Sequence, residues 1–254
     1  MFIREDSGDV AVLRFAHGKV SALDAEFCEA LGVEIAAIAA SPASGLVVTG
    51  TGSAFSAGVD LFKVLDGGEA YLQRFLPALE AFLETLLTFP KPAVAAVNGH
   101  AIAGGCIIAA ACDYRIMADG PGRMGVPELL VGVPFPSLPL EIVGARVPAA
   151  VFRQLVLTGR TVKAAEAREM ALVDEVVELE TLVPRACDVA AQFARIPAAS
   201  FALTKRGFTD SLLDRVRASA DRDAEVHAAW ASAAVHARIR EYLAQTLGNR
   251  SQGA

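Results

Sequence analysis

The segment of residues 91–113, KPAVAAVNGHAIAGGCIIAAACD, constrains the fold of this chain more than any other. Its pattern predicts a buried strand over residues 93–97, a break at residues 98–100, and a wholly apolar helical segment over residues 106–112. The first N–H groups of a helix lack intrahelical acceptors and lie at the positive end of the helix dipole, where they favour an oxyanion or a phosphate. Taken alone, the segment fits a purely structural strand–turn–helix as well as an anion site.

Composition predicts a globular protein, with one large domain or a domain and an appendage. The chain has 254 residues, of which 54% are apolar and 20% charged, and its net charge is −6. This acidic balance argues against a nucleic-acid partner, which needs a basic surface. The longest apolar run, residues 101–112, is too short to cross a bilayer, and charges near the N-terminus interrupt any signal-peptide pattern. We therefore expect a cytoplasmic protein with no membrane partner.

The four cysteines indicate neither a disulfide framework nor a metal site. Cys28, Cys106, Cys112 and Cys187 form no CxxC pair and show no zinc-type spacing with histidines. Most of them lie in apolar helical patterns, so we expect buried free thiols and no bound metal.

Strands and helices alternate through the first half of the chain. Apolar runs predict strands over residues 10–15, 45–49, 93–97 and 114–117. Helices are predicted over residues 25–40, with Asp24 as the N-cap, and over residues 71–88. Residues 50–58 are rich in glycine and serine and are expected to form an irregular loop. The alternation predicts an α/β fold with crossover connections.

Strand signals fade after about Pro134, and helical patterns follow. Helices are predicted over residues 149–157, 164–170, 182–195, 201–217 and 222–247. We place a soft boundary near Pro197, which divides the chain into an α/β core of residues 1–196 and a helical region of residues 197–254.

Three glycine-containing loops, residues 50–58, 100–105 and 125–132, are candidates for one shared site. The first two follow apolar strands, so backbone N–H groups near Ala57 and Gly104 could converge. Two such donors would form a hole for the oxygen of an enolate or a tetrahedral intermediate. Each loop alone is more simply a tight turn, but together, with Glu128 in the third loop, they favour a site.

The same three loops carry a family resemblance. The segments FSAGVDL (residues 55–61), 91–113 and GVPELLVG (125–132) resemble the signatures of the crotonase, or enoyl-CoA hydratase/isomerase, superfamily, and the likeness is collinear over essentially the whole chain. It implies a spiral of stacked ββα units, a helical C-terminal trimerisation region, and homotrimers or hexamers built from two trimers. It also implies an acyl-CoA thioester substrate, oxyanion donors at Ala57 and Gly104, and no cofactor apart from the CoA of the substrate.

The chain departs from the hydratases of this family at one catalytic position. Those enzymes use two carboxylates; the resemblance aligns one with Glu128 and the other with Ile107. Hydration needs a water to be deprotonated and a proton to be delivered, whereas moving a double bond from C3 to C2 needs a single base. A base in an apolar pocket should have a raised pKa.

The resemblance therefore favours a Δ3,Δ2-enoyl-CoA isomerase with Glu128 as the proton shuttle. Residues 112–119 and 203–223 also resemble mitochondrial-type isomerases that use a single glutamate. Two alternatives stay open: a hydratase in which another acid, such as Glu141, replaces the missing carboxylate, and a non-catalytic acyl-CoA-binding paralogue. A serine hydrolase and a nucleotide-binding module are disfavoured, because the loop at 50–58 has neither a G-x-S-x-G elbow nor a complete glycine fingerprint.

The resemblance also implies contacts with the substrate or its CoA. These fall on Lys19, Ser21, Ala22, Leu23, Phe55, Ser56, Asp60, Leu61, Gly105, Lys205 and Phe208. Phe135 lies in a segment that departs from the hydratase pattern, and we expect it to shape the acyl pocket. For Asp60 we favour a structural role, in which it orients the first loop through backbone hydrogen bonds or caps the following helix. Of the histidines, we expect His100 to be structural, His17 to be solvated, and His227 and His236 to lie at the surface or at an interface.

Overall fold

The computed structural model describes the backbone of residues 1–251 and the side chains of residues 1–246. Over the described backbone the chain forms ten strands and eleven helices. The strands are β1 (Phe2–Ser7), β2 (Val10–Phe15), β3 (Gly45–Thr49), β4 (Ala54–Ser56), β5 (Ala93–Val97), β6 (His100–Ile102), β7 (Tyr114–Ala118), β8 (Met124–Gly125), β9 (Thr161–Val162) and β10 (Glu175–Val177). The helices are α1 (Ala25–Ala40), α2 (Leu61–Leu87), α3 (Gly104–Ala111), α4 (Glu128–Val131), α5 (Ser137–Gly144), α6 (Ala149–Thr158), α7 (Ala164–Glu169), α8 (Leu179–Phe193), α9 (Ala198–Arg217), α10 (Ala220–Trp230) and α11 (Ala233–Ser251).

Successive strand pairs build two sheets side by side. The larger sheet has the order β1-β2-β3-β5-β7-β10, and the smaller has the order β4-β6-β8-β9. Each of the pairs β3/β4, β5/β6 and β7/β8 gives its first strand to the larger sheet and its second to the smaller, and a helix follows each pair. The chain therefore advances by repeated ββα units, and the predicted α/β fold is confirmed.

The larger sheet is covered on both faces, which explains its continuous apolar strands. In β2, Leu13 and Phe15 belong to the main core together with the apolar faces of α1, α2 and α3. Val10 and Val12 point the other way and pack against Leu182 and other apolar residues of α8. Because side chains alternate across a strand, one strand supplies both layers.

The predicted first helix and its cap are confirmed. Helix α1 covers the predicted residues, and the Asp24 carboxylate oxygen Oδ1 accepts a hydrogen bond from the Phe27 N–H at 2.7 Å. The predicted strands at β2, β3 and β5 also have the observed bounds.

Helix α2 begins ten residues before the predicted start at residue 71. Asp60 caps it by accepting hydrogen bonds from the N–H groups of Phe62 and Lys63. The helix then passes through a kink at Gly68, whose φ of 56° and ψ of −145° are not helical. The glycine pair at residues 67–68 therefore separates two helical segments, and the second of them contains the helix predicted from residue 71.

The expectation that residues 50–58 are irregular is wrong, because β4 lies inside them. Its partner β6 lies at the predicted break after β5, and the two pair in parallel, Ala54 with His100 and Ser56 with Ala101. Strands of three residues show no periodicity of their own, since their pairing depends on a distant segment. Strands β1, β9 and β10 and helices α4 and α5 were not predicted either.

The C-terminal helices share the main core with the rest of the chain. Leu212, Trp230 and Ile239 belong to the same buried cluster as the strands of the larger sheet. The predicted helix over residues 222–247 is divided into α10 and α11. Pro197 is the N-cap of α9, and the domain boundary placed there stays a prediction.

Two further expectations concern the cysteines and membrane-spanning helices. All four cysteines are buried and free, as predicted. Among the described residues, no helix combines the length and the apolar character that crossing a bilayer requires.

Candidate active site

The two loops that carry the candidate oxyanion donors touch each other through their backbones. Gly58 has a φ of +79°, and a Cβ placed on it would lie 2.7 Å from the Ala103 Cβ and 3.0 Å from the Gly104 nitrogen. A Cβ on Gly104 would lie 2.6 Å from the Leu23 Cδ1, and one on Gly105 would lie 2.3 Å from the Ser56 carbonyl oxygen. Glycine at these positions is what allows the approach.

The two candidate donors differ in their present partners. Gly104 begins α3, so its N–H has no acceptor within the helix, and it makes no other hydrogen bond within the described part of the chain. The Ala57 N–H donates to the Val20 carbonyl oxygen at 3.0 Å. Ala103, between the loops, has a φ of 52°, a conformation that costs energy for a residue with a side chain.

The first loop is held by the segment that precedes α1. The Ser56 hydroxyl donates to the Ser21 carbonyl oxygen at 2.7 Å and accepts from the Gly58 N–H at 3.2 Å. The Leu23 N–H donates to the Gly58 carbonyl oxygen at 2.8 Å, and the Asp60 N–H donates to the Leu23 carbonyl oxygen at 2.9 Å. These bonds fix the backbone on both sides of Ala57.

A small apolar chamber, the inner cavity, lies against both loops. Its volume is about 70 Å³. It is lined by Ala57, Val59, Leu61, Ile102, Ala103, Pro127, Glu128, Val131, Val133, Trp230 and Tyr242. Among these described residues, Glu128 is the only carboxylate.

The Glu128 side chain is buried, with 8% of its surface exposed, and its Oε2 atom has no hydrogen-bond partner in the described structure. Burial raises the pKa of this carboxyl to about 8, and a hydrogen bond from its own backbone N–H only partly offsets the shift. A carboxyl with this pKa can exchange protons near neutral pH.

The backbone around Glu128 is firmly held. Its carbonyl oxygen accepts hydrogen bonds from the N–H groups of Gly132 and Val133, both at 3.0 Å. The Trp230 indole Nε1–H donates to the Pro134 carbonyl oxygen at 2.9 Å, so α10 anchors the end of this segment.

The second carboxylate of the hydratases has no counterpart near Glu128 in the described lining of the inner cavity. Ile107 is a buried apolar residue of α3. Glu141, the candidate replacement, lies on α5, and its Oε2 accepts a hydrogen bond from the Arg215 Nε–H at 2.8 Å. The structure thus places Glu141 outside the inner cavity, paired with a cation of α9.

A larger depression, the outer cavity, adjoins the inner one. Its volume is about 590 Å³. It is lined by His17, Gly18, Lys19, Val20, Ala22, Asp24, Ala57, Val59, Asp60, Leu61, Phe62, Lys63, Leu243 and Thr246. Ala57, Val59 and Leu61 line both cavities, so the two meet at the first oxyanion loop.

When the chain is compared with models of protein families, one model matches nearly its whole length. Residues 5–244 match the model of the enoyl-CoA hydratase/isomerase family. The chain belongs to this family. Curated relatives with hydratase or isomerase names occur in Thermus thermophilus, at 37% identity over 163 residues, and in Mycosarcoma maydis, at 32% over 162 residues. These matches cover 63% and 62% of this chain but only 64% and 57% of the relatives, so the chain spans less than two thirds of their length.

Solved structures of the family share the fold. The human mitochondrial Δ3,Δ2-enoyl-CoA isomerase gives a TM-score of 0.92 at 26% identity, with 98% of each chain covered. A probable enoyl-CoA hydratase from Mycobacterium tuberculosis gives a TM-score of 0.82 at 29% identity, covering 88% of this chain and 94% of that one. The ββα units are therefore those of the crotonase fold. Relatives with both names match, so similarity alone leaves the reaction open.

The structure brings some of the family-implied contact residues to the cavities. Lys19, Ala22, Asp60 and Leu61 line the outer cavity. Ser21, Leu23 and Ser56 are buried supports of the first loop, and Gly105 packs against that loop as described above.

Other family-implied contact residues lie elsewhere in this chain. Phe55 and Phe135 are buried in the core, and neither is among the residues lining the two cavities. The Lys205 Nζ lies 2.8 Å from the Asp113 Oδ2, a buried pair that ties α9 to the core, and Phe208 is largely exposed on α9.

His17 is partly exposed, with 25% of its side chain accessible, and it lines the outer cavity. Its Nε2 lies 2.7 Å from the Asp24 Oδ2, and its ring stacks on Phe27. Lys63 donates to the same carboxylate oxygen at 2.7 Å. Burial alone would raise the pKa of Asp24, but hydrogen bonds from Lys63, His17 and the Phe27 N–H hold it below its usual value.

Trp230 and Tyr242 line the inner cavity and were missed from the sequence. Both lie in the helical region that the resemblance assigns to oligomerisation. The only available signal was that Trp230 is the single tryptophan of the chain, in a helix of otherwise small and polar residues.

Proposed function

We propose that this protein is a Δ3,Δ2-enoyl-CoA isomerase that moves the double bond of a 3-enoyl-CoA thioester from C3 to C2. The observation that carries the proposal is the single carboxylate, Glu128, among the described residues that line an apolar inner cavity. It is supported by Ile107, a buried apolar residue that the resemblance aligns with the second acid of the hydratases.

Isomerisation needs the transfer of one proton from C2 to C4, and a single carboxyl group can carry out both steps. The Glu128 carboxylate takes a proton from C2, next to the thioester carbonyl, and the electron pair of that C–H bond delocalises into a dienolate. The Glu128 carboxyl then returns the proton to C4, which leaves the double bond between C2 and C3. An apolar lining suits this shuttle, because it keeps other proton donors from the dienolate.

The charge of the dienolate needs the two backbone donors. In this proposal the Gly104 N–H, which has no acceptor among the described residues, binds the thioester oxygen directly. The Ala57 N–H now donates to the Val20 carbonyl oxygen. On substrate binding it donates to the thioester oxygen instead, or to both oxygens. Two such donors stabilise an oxyanion by several kcal/mol, since removing one donor typically costs about 10²–10³ in rate.

Hydratase activity is the second candidate, because relatives named as hydratases share the fold. It would need a second acid, which neither Ile107 nor the paired Glu141 supplies. A non-catalytic acyl-CoA-binding paralogue is the third candidate, and the unpaired, buried Glu128 carboxyl argues against it.

A paired assay separates the three candidates. Purified protein and Glu128→Gln are tested with 3-hexenoyl-CoA for isomerisation and with 2-butenoyl-CoA for hydration, with Glu141→Gln as the matched control. We expect isomerisation that falls by about 10²–10⁴ in Glu128→Gln and is retained in Glu141→Gln. Rapid hydration by the unaltered protein would favour a hydratase, and binding without either reaction would favour the paralogue.

The proposal has four further parts. The CoA moiety lies in the outer cavity beside Lys19, and no cofactor other than the CoA of the substrate takes part. The protein assembles as a homotrimer or as a hexamer of two trimers. We expect it in the cytoplasm, whereas the human and rat relatives are named as mitochondrial.

A further inference from the structure

Two aromatic side chains from the two C-terminal helices of the same chain line the inner cavity. Trp230, at the end of α10, and Tyr242, in α11, both line it. The next residue of α11, Leu243, and Thr246 one turn further on, line the outer cavity. Helix α11 therefore runs along both cavities, and its aromatic residue faces the smaller one.

Trp230 and Tyr242, which we call the wall, belong to helices that are hydrogen-bonded to the segment that carries Glu128. The Trp230 indole is 3% exposed and donates to the Pro134 carbonyl oxygen at 2.9 Å. The Arg238 Nη2 of α11 donates to the Leu130 carbonyl oxygen of α4 at 2.9 Å. The same arginine side chain packs on Gly132, where a Cβ would lie 2.3 Å from the Arg238 Cγ. Hydrogen bonds on both helices hold the wall in place.

The volume of the inner cavity is small for an acyl chain. An apolar cavity of about 150 Å³ holds one benzene molecule, which has six carbons. The inner cavity, at about 70 Å³, is roughly half that size and accommodates on the order of three carbons beyond the thioester group. Close-packed side chains yield little, and Trp230 and Tyr242 are the two largest side chains in the described lining, so they take up most of the space that a longer chain would need.

We infer that Trp230 and Tyr242 set the acyl-chain length of this protein and restrict it to short-chain thioesters of about four to six carbons. The inference rests on the proposed acyl-CoA function and adds a substrate class to it. Both residues act by bulk: they are specificity residues, and neither takes part in the proton transfer.

The kinetic test compares chain lengths in four proteins. The unaltered protein, Tyr242→Ala, Tyr242→Phe and the control Gln245→Ala, which changes an exposed residue of α11, are assayed with 3-hexenoyl-, 3-octenoyl-, 3-decenoyl- and 3-dodecenoyl-CoA. One methylene too many in an apolar pocket is discriminated by about 10–200-fold. We therefore expect kcat/KM of the unaltered protein to fall by at least ~100-fold from six to twelve carbons.

The variants should separate bulk from other roles of the tyrosine. Tyr242→Ala should raise the ratio of kcat/KM for the twelve-carbon substrate to kcat/KM for the six-carbon substrate by about 10-fold or more. Tyr242→Phe and Gln245→Ala should keep the ratio of the unaltered protein. A flat profile in the unaltered protein, or an equal change at all lengths in Tyr242→Ala, would overturn the inference.

A binding arm keeps the chain-length inference separate from the isomerase proposal. Affinities for butanoyl-, octanoyl- and dodecanoyl-CoA are measured by calorimetry, with Trp230→Phe as a second enlarging variant that retains an aromatic ring. If 3-enoyl substrates are not turned over but short acyl-CoAs bind and long ones bind only to the enlarged variants, the isomerase proposal fails and this inference stands. Equal affinity at all lengths would reject it even if isomerisation is found.

Discussion

At the scale of single residues, the chemistry depends on the protonation of one buried carboxyl. Burial raises the pKa of Glu128 to about 8, so at neutral pH most molecules carry the protonated form, which cannot take a proton from C2. The ionised fraction grows as pH rises through this value. The activity of the free enzyme should follow that fraction.

We therefore expect kcat/KM with 3-hexenoyl-CoA to rise between about pH 6 and pH 9, with its midpoint near pH 8, and then to level off. Initial rates at low substrate concentration across this range measure the profile. Glu141→Gln should retain the same midpoint, because Glu141 pairs with Arg215 outside the inner cavity. A profile that is flat across the range, or a midpoint near the usual carboxyl pKa, would show that the pKa of the catalytic base is not raised.

At the scale of elements, the contact between the two oxyanion loops depends on Gly58. An alanine there would meet the Ala103 Cβ and the Ile102 carbonyl oxygen, each at 2.7 Å, in addition to the strain of a positive φ. Gly58→Ala should therefore part the two donors and lower kcat/KM by about 100-fold or more, the loss expected from one donor. Gly52, with a φ of +60° and nothing within 4 Å of a Cβ, is the matched control.

Comparing Gly58→Ala with Gly52→Ala separates the effect of the collision between the loops from the effect of backbone strain. Gly52→Ala carries a similar backbone penalty of about 1–2 kcal/mol but no collision, so its kinetics should stay close to those of the unaltered protein. Thermal unfolding of both variants shows whether they are folded. Equal losses of activity in the two variants would mean that strain, and not the meeting of the loops, explains the result.

Helix α1 gives a second prediction at this scale. Asp24→Ala removes the N-cap of α1 and the buried acceptor of His17 and Lys63, so the free energy of unfolding at pH 7 should fall by about 2 kcal/mol. Asp24→Asn keeps a capping oxygen and should lose less. Urea unfolding measures both, and equal losses would show that the charge, and not the cap, stabilises the helix.

The pH dependence of this effect has a definite sign. The pKa of Asp24 is lowered from its usual value of 3.8, so the ionised form is the one that the fold favours. Its contribution is present above pH 3.8 and is lost as pH falls through the lowered pKa of the folded protein. The difference between the unaltered protein and Asp24→Ala should accordingly shrink under strongly acid conditions.

The elements also show what local sequence can predict. The caps and apolar runs of α1, β2, β3 and β5 are local signals, and the structure has these elements where the sequence places them. Strands β4 and β6 depend on pairing with each other across more than forty residues, which no local pattern encodes. The motif loops could be identified from the sequence because their glycines are needed where the two backbones approach each other. The hydrogen bond from the Ala57 N–H to the Val20 carbonyl oxygen could not be predicted, since it depends on the path of another loop.

At the scale of the whole molecule, the C-terminal helices are part of the site as well as of the core. The buried Lys205–Asp113 pair ties α9 to the end of α3, and the Trp230 hydrogen bond ties α10 to the segment after Glu128. The sequence indicated a separate helical region because strand signals end early. Long-range contacts, which the sequence does not display, join that region to the inner cavity.

Assembly gives the last prediction. Phe208 on α9 is 71% exposed in the single chain, and burying an aromatic side chain of this kind at a subunit interface would stabilise an oligomer. If the helical region forms the proposed trimer, Phe208→Glu should shift the protein toward monomers in light scattering coupled to gel filtration. Val33 on α1 is equally exposed, at 72%, so Val33→Glu is the matched control and should leave the assembly unchanged. A stable trimer in Phe208→Glu would place the interface on another face, and loss of the trimer in Val33→Glu would place it on α1.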